Sequence, residues 1–254
     1  MRFETQGSGR PLVLIPGLGC DSRAWRPVGE ILSDGFLVIH PHSWGRGSLR
    51  EAALGVSGVL QELGLGQAFV AGLSMGGYIT FELLRHHPER VIAAALVDTT
   101  TFGDTPDRTA KRNRVLELIR EGRFDAVLDT YAGSVLAPRN TRGPLRDLIL
   151  DMGRSLGPRT FAADVMAIRD RGTYEDVLAS ARAPLLFVSG ELDALTPPDL
   201  ARDMASRARD GRAVVVPGAG HMTPIEAPAE VARVLREFFE ARAGEEARSG
   251  GGPS

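Results

Sequence analysis

The chain has 254 residues, of which 43% are hydrophobic and 24% are charged, and this composition is typical of a globular protein with one sizeable core. The 30 basic and 32 acidic residues nearly balance, which argues against a nucleic acid or an anionic membrane as the main partner. A single cysteine, Cys20, excludes an internal disulfide and any cysteine-based zinc or redox motif. The polar N-terminus and the lack of a long apolar run predict a cytoplasmic protein.

Six short apolar runs predict the strands of a buried sheet. They are Leu12–Pro16, Phe36–His40, Ala68–Gly72, Val91–Val97, Leu185–Gly190 and Ala213–Pro217. Amphipathic patterns between them predict helices at Ser22–Leu32, Leu49–Leu63, Met75–His86, Leu200–Ala208 and Ala229–Ala241. This alternation is typical of an α/β fold with a mainly parallel sheet. Because the strands are continuously apolar, we expect helices on both faces of the sheet.

The alternation stops between residues 102 and 174. This segment has no strand-like run, and its helical patterns, such as Val115–Ile119 and Leu145–Met152, are interrupted by glycine and proline. We interpret it as a helical cap inserted into one core domain, which comprises residues 1–101 and 175–243. Residues 244–254 end in a run rich in glycine and are predicted to form a flexible tail.

Ser74 is the candidate nucleophile. The sequence GLSMG at residues 72–76 places one glycine two residues before this serine and another two residues after it, between a predicted strand and a predicted helix. A turn this sharp strains the serine backbone and leaves no room for side chains at the flanking positions, so the hydroxyl is exposed above the sheet edge. The alternative is an ordinary tight turn that happens to contain a serine.

A serine hydroxyl needs a base, and His221 is the best candidate among the five histidines. It ends the loop PGAGH at residues 217–221, which follows the last predicted strand, and open α/β sheets bind ligands at the carboxyl ends of their strands. His86 and His87 are better explained as solvated residues at a helix C-terminus. His40 and His42 are better explained as loop residues.

The third member of the site should be an acid that orients the histidine. Asp193 follows the strand Leu185–Gly190, and it gives the chain order Ser, Asp, His that accompanies this type of serine turn. Asp98, which follows the strand Val91–Val97, is the alternative acid, although it could instead cap the residues after it. Glu191 is a weaker alternative.

Two backbone N–H groups are predicted to bind an oxyanion. One belongs to Met75, the residue after the serine, and the other to Leu18 in the loop PGLG at residues 16–19, which could also be no more than a tight turn. No histidine–carboxylate cluster has the spacing of metal ligands, so neither a metal nor a cofactor is predicted.

Together these motifs resemble the α/β-hydrolase superfamily in its small helical-cap branch, which includes bacterial carboxylesterases, pimeloyl-carrier-protein methyl esterases and 3-oxoadipate enol-lactonases. The likeness rests on IPGLG at residues 15–19 with Asp21 and Trp25, GRGS at 45–48, GLSMGG at 72–77, GELD at 190–193, and GH at 220–221 with Glu226 and Pro228. It implies the α/β-hydrolase fold and a catalytic triad of Ser74, His221 and Asp193. In two places the chain departs from the family. Pro16 replaces a histidine that braces the oxyanion loop, and residues 42–48 lack the leading acid of a family motif.

The predicted function is hydrolysis of a small carboxylic ester or lactone through an acyl-enzyme. Because net charge is near zero and the cap sequence shows no basic cluster, we expect a largely uncharged substrate. Tyr131, Met152, Phe161 and Met166 could line its pocket, although apolar residues at helical spacing more often pack the cap onto the core. The same fold and triad also serve C–C bond hydrolysis, lyase and perhydrolase chemistry, and a ligand receptor is a further alternative.

Overall fold

The computed structural model describes residues 1–249, with side chains described through residue 243. One sheet of seven strands lies in this part of the chain, in the order β1-β3-β2-β4-β5-β6-β7. The strands are β1 (Phe3–Gln6), β2 (Arg10–Ile15), β3 (Phe36–Pro41), β4 (Ala68–Leu73), β5 (Val91–Val97), β6 (Leu185–Gly190) and β7 (Gly211–Val216). Only the edge pair β1–β3 is antiparallel, so the predicted mainly parallel sheet is confirmed.

The strands are connected by α-helices that pack on the sheet and on one another. The helices are α1 (Arg26–Leu32), α2 (Leu49–Glu62), α3 (Met75–His86), α4 (Pro106–Arg120), α5 (Phe124–Val135), α6 (Pro144–Arg169), α7 (Glu175–Ser180), α8 (Pro198–Arg207), α9 (Thr223–Glu226) and α10 (Pro228–Ser249). Every residue of β4 and β6 is buried, so both faces of the central sheet are covered. No helix in the described part of the chain combines the length and apolarity needed to cross a membrane.

The predicted strands coincide with β2 to β7 to within two residues at each end. Strand β1 was not predicted, because Phe3 is its one apolar residue and the pattern of a buried strand is missing. The backbone hydrogen bonds of β1 come from β3, so the tertiary neighbour creates this strand rather than its own sequence.

Helices α4, α5 and α6 lie between β5 and β6 in the chain and pack on one another, whereas α7 packs on α3 and α8. Helix α6 is kinked at Gly157, where φ is 80° and the following Pro158 cannot donate a backbone hydrogen bond. We propose that residues 102–174 act as a cap over the core. Helix α10 continues through Ser249 into the predicted tail, and residues 250–254 lie outside the described residues.

Candidate active site

Ser74 occupies the turn between β4 and α3, with φ 52° and ψ −108°. The strained backbone expected from the glycine spacing is therefore observed. A Cβ atom added to Gly72 would lie 2.2 Å from the Gly76 carbonyl oxygen, and one added to Gly76 would lie 2.3 Å from the Ile15 carbonyl oxygen. Both glycines are required because the backbone approaches them closely on each side of the serine.

The residues that follow β4, β6 and β7 meet at one edge of the sheet because these strands are parallel. The structure brings the three predicted side chains into one hydrogen-bonded series. His221 Nε2 lies 2.9 Å from Ser74 Oγ, and His221 Nδ1 lies 2.8 Å from Asp193 Oδ2. His221 and Asp193 are both buried, so water competes little for these bonds.

Asp193 is held as an ionised hydrogen-bond acceptor. Its Oδ1 accepts from the backbone N–H groups of Leu195 at 2.8 Å and Thr196 at 3.0 Å, and its Oδ2 accepts from Thr196 Oγ1 at 2.6 Å. Burial alone would raise the pKa of Asp193, but the hydrogen bond and charge of His221, with the Thr196 donors, bring it below its usual value. Sequence reasoning missed Thr196, although aspartate and threonine are both residues whose side chains form turns with nearby backbone groups.

His221 has the opposite shift. Burial would lower its pKa, but the hydrogen bond and charge of Asp193, followed by the charges of Asp98 and Glu226, hold the pKa above its ordinary value. Glu226 also accepts backbone hydrogen bonds from Gly220 at 2.9 Å and Ala137 at 2.9 Å. It therefore fastens the histidine loop to the segment after α5, a function that the sequence did not predict.

The alternative acid, Asp98, makes no hydrogen bond to His221 among the described residues. Its carboxylate accepts from the N–H of Gly190 at 3.0 Å and from the N–H and hydroxyl of Thr223 at 3.1 and 2.7 Å. Burial raises the pKa of this carboxyl. Asp98 thus ties the end of β6 to the residues that follow His221. Glu191 contacts Gly218 instead, accepting its N–H at 2.7 Å.

The remaining histidines lie apart from Ser74. His40 is buried on β3, and burial lowers its pKa to about 4. His42 stacks on Trp44, with ring centroids 4.6 Å apart. His86 lies 3.3 Å from a carboxylate oxygen of Glu82 one turn earlier on α3. Within the described residues, no group of three His, Cys, Asp or Glu side chains is arranged to hold a metal ion.

The loop after β2 lies directly beside the serine. A Cβ atom added to Gly17 would be 3.4 Å from Ser74 Cβ, so this glycine permits the close approach. Met75 is the first residue of α3, and its N–H has no intrahelical acceptor because the first four N–H groups of an α-helix have none. The Leu18 N–H likewise has no acceptor among the described residues. Both predicted oxyanion donors are therefore unpaired next to Ser74.

Bracing of this loop comes from α5 and from Trp25, the residue before α1. The Tyr131 hydroxyl donates to the Leu18 carbonyl oxygen at 2.6 Å, and Trp25 Nε1 donates to the Ile15 carbonyl oxygen at 2.9 Å. These two bonds hold carbonyl groups on either side of Pro16 and Gly17. The other unusual loop, at residues 42–48, is also fastened by the inserted segment, since the Gly45 N–H donates to Asp164 at 2.7 Å.

Removal of the Tyr131 hydroxyl tests this bracing. We expect Tyr131→Phe to lower kcat by about three- to tenfold with a smaller change in KM, because one neutral hydrogen bond contributes about 0.5–1.5 kcal/mol and serves mainly to align the Leu18 N–H. Steady-state kinetics on one ester measure both constants. Tyr174→Phe is the control, since Tyr174 is a buried tyrosine that does not line the pocket. Equal losses in the two variants would contradict the bracing function.

A pocket of about 480 Å³ opens onto Ser74 and His221. Its walls are largely apolar and come mainly from α4, α5 and α6; they include Val115, Leu118, Val127, Phe161, Val165 and Ile168. Of the four wall candidates from the sequence, Tyr131 and Phe161 line the pocket, whereas Met152 is buried in the core and Met166 is exposed elsewhere.

The pocket also has a basic side, which corrects one expectation. Arg108, Lys111 and Arg112 of α4 all line it. The expectation that the cap has no basic cluster was wrong, because the total charges of a segment do not show which residues share a helix face. Lys111 and Arg112 lie three and four residues after Arg108, one helical turn away, and this spacing is the signal that could have revealed the cluster.

The comparison with known families agrees with this geometry. Residues 12–234 match the profile of the Alpha/beta hydrolase family. The chain belongs to this family, and the fold class and the family resemblance predicted from the sequence are thereby confirmed. The expectation of an enzyme of the hydrolase class is confirmed with them.

Three similar proteins span nearly the whole chain. A thermophilic esterase from Thermogutta terrifontis, solved with malate bound, is 29% identical with a TM-score of 0.90, over 95% of this chain and 93% of that one. An (E)-2-((N-methylformamido)methylene)succinate hydrolase from Acinetobacter baylyi is 28% identical over 94% of this chain and 93% of its own length. A pimeloyl-[acyl-carrier protein] methyl ester esterase from Nitrosomonas europaea is 28% identical over 87% of this chain and 92% of its own.

Proposed function

We propose that this protein hydrolyses small carboxylic esters or lactones through a serine acyl-enzyme. The observation that carries the proposal is the unbroken series of hydrogen bonds from Ser74 through His221 to Asp193, with the first two residues lining the pocket. Two of the three similar proteins are named esterases, which supports an ester as the substrate class.

In the first step, Ser74 Oγ attacks the ester carbonyl carbon while His221 Nε2 accepts the hydroxyl proton. The carbonyl oxygen becomes an oxyanion, which accepts hydrogen bonds from the N–H groups of Leu18 and Met75. Asp193 stabilises the imidazolium that forms. His221 then returns the proton to the leaving oxygen, and the C–O bond breaks to release the alcohol and leave an acyl group on Ser74.

In the second step, a water molecule replaces the alcohol. His221 takes a proton from this water as the water oxygen attacks the acyl carbon, and the same two N–H groups bind the second oxyanion. When this intermediate collapses, the proton returns to Ser74 Oγ and the carboxylic acid leaves. With a lactone, the alcohol and the acid are two ends of one product.

A panel of p-nitrophenyl acetate, butyrate, octanoate and palmitate, with one lactone and one acyl-CoA, tests the proposal. We expect kcat/KM to peak at acetate, butyrate or the lactone, because a pocket of about 480 Å³ suits a small ligand. The Ser74→Ala variant gives the non-enzymatic background. A peak at palmitate or acyl-CoA would identify a lipase or thioesterase. No turnover, with Ser74 still reactive towards a fluorophosphonate, would favour the lyase or receptor alternatives.

A further inference from the structure

One face of helix α4 forms a wall of the pocket. Arg108, Lys111, Arg112, Val115 and Leu118 all line it, and their spacing of three or four residues places them on the same side of the helix. The first three are cations and the last two are apolar. The wall is therefore basic near the start of α4 and apolar further along, over a length of about 15 Å at 1.5 Å per residue.

The positive charge on this wall is only partly neutralised. Arg112 pairs with Asp104, a carboxylate that also binds Arg171 at 2.9 Å. Among the described residues, no carboxylate oxygen lies within 4.0 Å of a side-chain nitrogen of Lys111 or Arg108, so neither side chain forms an ion pair. None of the residues that line the pocket is an aspartate or a glutamate.

A neighbouring cation of α4 that lies outside the pocket lining differs in this respect. Arg114, three residues after Lys111, does not line the pocket and pairs with Glu117 at 3.0 Å and Glu121 at 3.6 Å. Arg114 thus has carboxylate partners on its own helix, whereas Arg108 and Lys111, two of the three cations that line the pocket, have none among the described residues. Arg108 is half-buried and Lys111 is exposed, so Lys111 lies where the pocket meets solvent. Both add to the positive potential that an anion meets in this mostly apolar pocket.

The basic end of the wall lies close to the triad. The Arg108 guanidinium donates to the Leu195 carbonyl oxygen at 3.1 Å, and the N–H of the same Leu195 donates to Asp193 at 2.8 Å. Ser74, Arg108 and Lys111 line the same pocket, so one substrate can present a carbonyl group to Ser74 and an anionic group to α4.

We propose that the pocket selects esters that carry a carboxylate a few bonds from the scissile carbonyl, such as half-esters of short dicarboxylic acids. Lys111 is the main specificity-determining residue for this carboxylate, and Arg108 assists it. The inference rests on the proposed ester hydrolysis and replaces the expectation of an uncharged substrate. Either the acyl part or the alcohol part can bear the carboxylate, since both place one negative charge near α4.

Matched pairs of substrates test this selection. Monomethyl glutarate and its neutral isostere methyl glutaramate differ in a carboxylate on the acyl side, and O-acetylglycolate and O-acetylglycolamide differ on the alcohol side. We expect the kcat/KM ratio of acid to amide to be about ten or more in at least one pair, and to fall as salt is added. Lys111→Met should reduce this ratio by about five- to tenfold, and Lys111→Glu should reverse the preference.

Arg114→Gln is the matched control, because it removes one positive charge from the same helix outside the pocket lining. It should keep the wild-type ratio. A wild-type ratio near one in both pairs would overturn the inference, and so would equal ratios in the wild type and Lys111→Met. If p-nitrophenyl acetate is still hydrolysed in such a case, the proposed function stands without this specificity.

Binding to a protein that cannot react separates the two proposals. Calorimetry with Ser74→Ala should show the preferred acid binding about tenfold more tightly than its amide, and Ser74→Ala/Lys111→Met should lose this difference. That result would support anion recognition even if the wild type hydrolysed no ester. Equal binding of acid and amide to Ser74→Ala would overturn the inference whatever the wild type hydrolyses.

Discussion

Replacement of Ser74 by alanine is expected to lower ester hydrolysis by at least about 10⁴-fold and to abolish labelling by a fluorophosphonate. The only side-chain hydrogen bond that this change removes among the described residues is the one to His221 Nε2, since the Ser74 hydroxyl does not cap α3. The fold should therefore remain, with the free energy of unfolding changed by about 1 kcal/mol or less. Steady-state kinetics, gel labelling and a thermal melt measure the three quantities.

Ser57→Ala is the control for this variant. Ser57 is a buried serine on α2 that does not line the pocket, so its loss should leave labelling intact. Labelling that persists in Ser74→Ala would mean that another residue is the nucleophile. Cys20 is a poor substitute, because burial, together with the nearby charge of Asp21, raises the pKa of its thiol to about 12 and leaves little thiolate.

The sheet and the serine turn could be predicted from the sequence because both are set by local properties. A continuous apolar run buries both faces of a strand, and a serine between two close glycines fits only a very tight turn. The order of Ser74, Asp193 and His221 along the chain added enough to choose Asp193 over Asp98. The hydrogen bonds of His221 to Asp193 and Ser74 agree with that choice, and the catalytic functions of these residues remain predictions.

The contacts between the inserted helices and the core could not be predicted in the same way. Tyr131 reaches Leu18 across 113 residues of sequence, and Gly45 reaches Asp164 across 119. Such bonds depend on how α5 and α6 pack on the core. The sequence around one partner does not indicate which residue the other partner is. The basic face of α4 could be predicted in part. Its helical spacing is visible in the sequence, but packing decides which side of the helix faces the pocket.

Replacement of Asp193 by asparagine should lower kcat by about 10³- to 10⁴-fold. The amide oxygen can still accept from the N–H groups of Leu195 and Thr196, but the amide NH₂ then faces His221 Nδ1. A ring that accepts at Nδ1 must carry its proton on Nε2, and in this tautomer it cannot take the proton of Ser74. The site would keep its shape and lose its base.

The pH dependence of kcat/KM gives a second readout of Asp193. His221 acts as a base only when it is neutral, so activity rises with pH as the imidazolium loses its proton. Because the carboxylate raises the His221 pKa, the acid limb of the wild type should lie above the ordinary histidine value of about 6.5. In Asp193→Asn the charge that favours the imidazolium is gone, and the remaining activity should show this limb at lower pH. An unmoved limb would mean that Asp193 does not act on His221.

Asp98→Asn separates catalysis from positioning at this edge of the sheet. The Asp98 carboxylate accepts two hydrogen bonds from Thr223 and one from Gly190. The amide of asparagine has only one oxygen and cannot accept all three equally well. The substitution should therefore mainly lower the melting temperature. Turnover should fall by less than about tenfold, as the Asp193–His221 bond remains. If Asp98→Asn instead removed activity by orders of magnitude while Asp193→Asn kept most of it, Asp98 would be the catalytic acid and Asp193 a structural residue of the loop after β6.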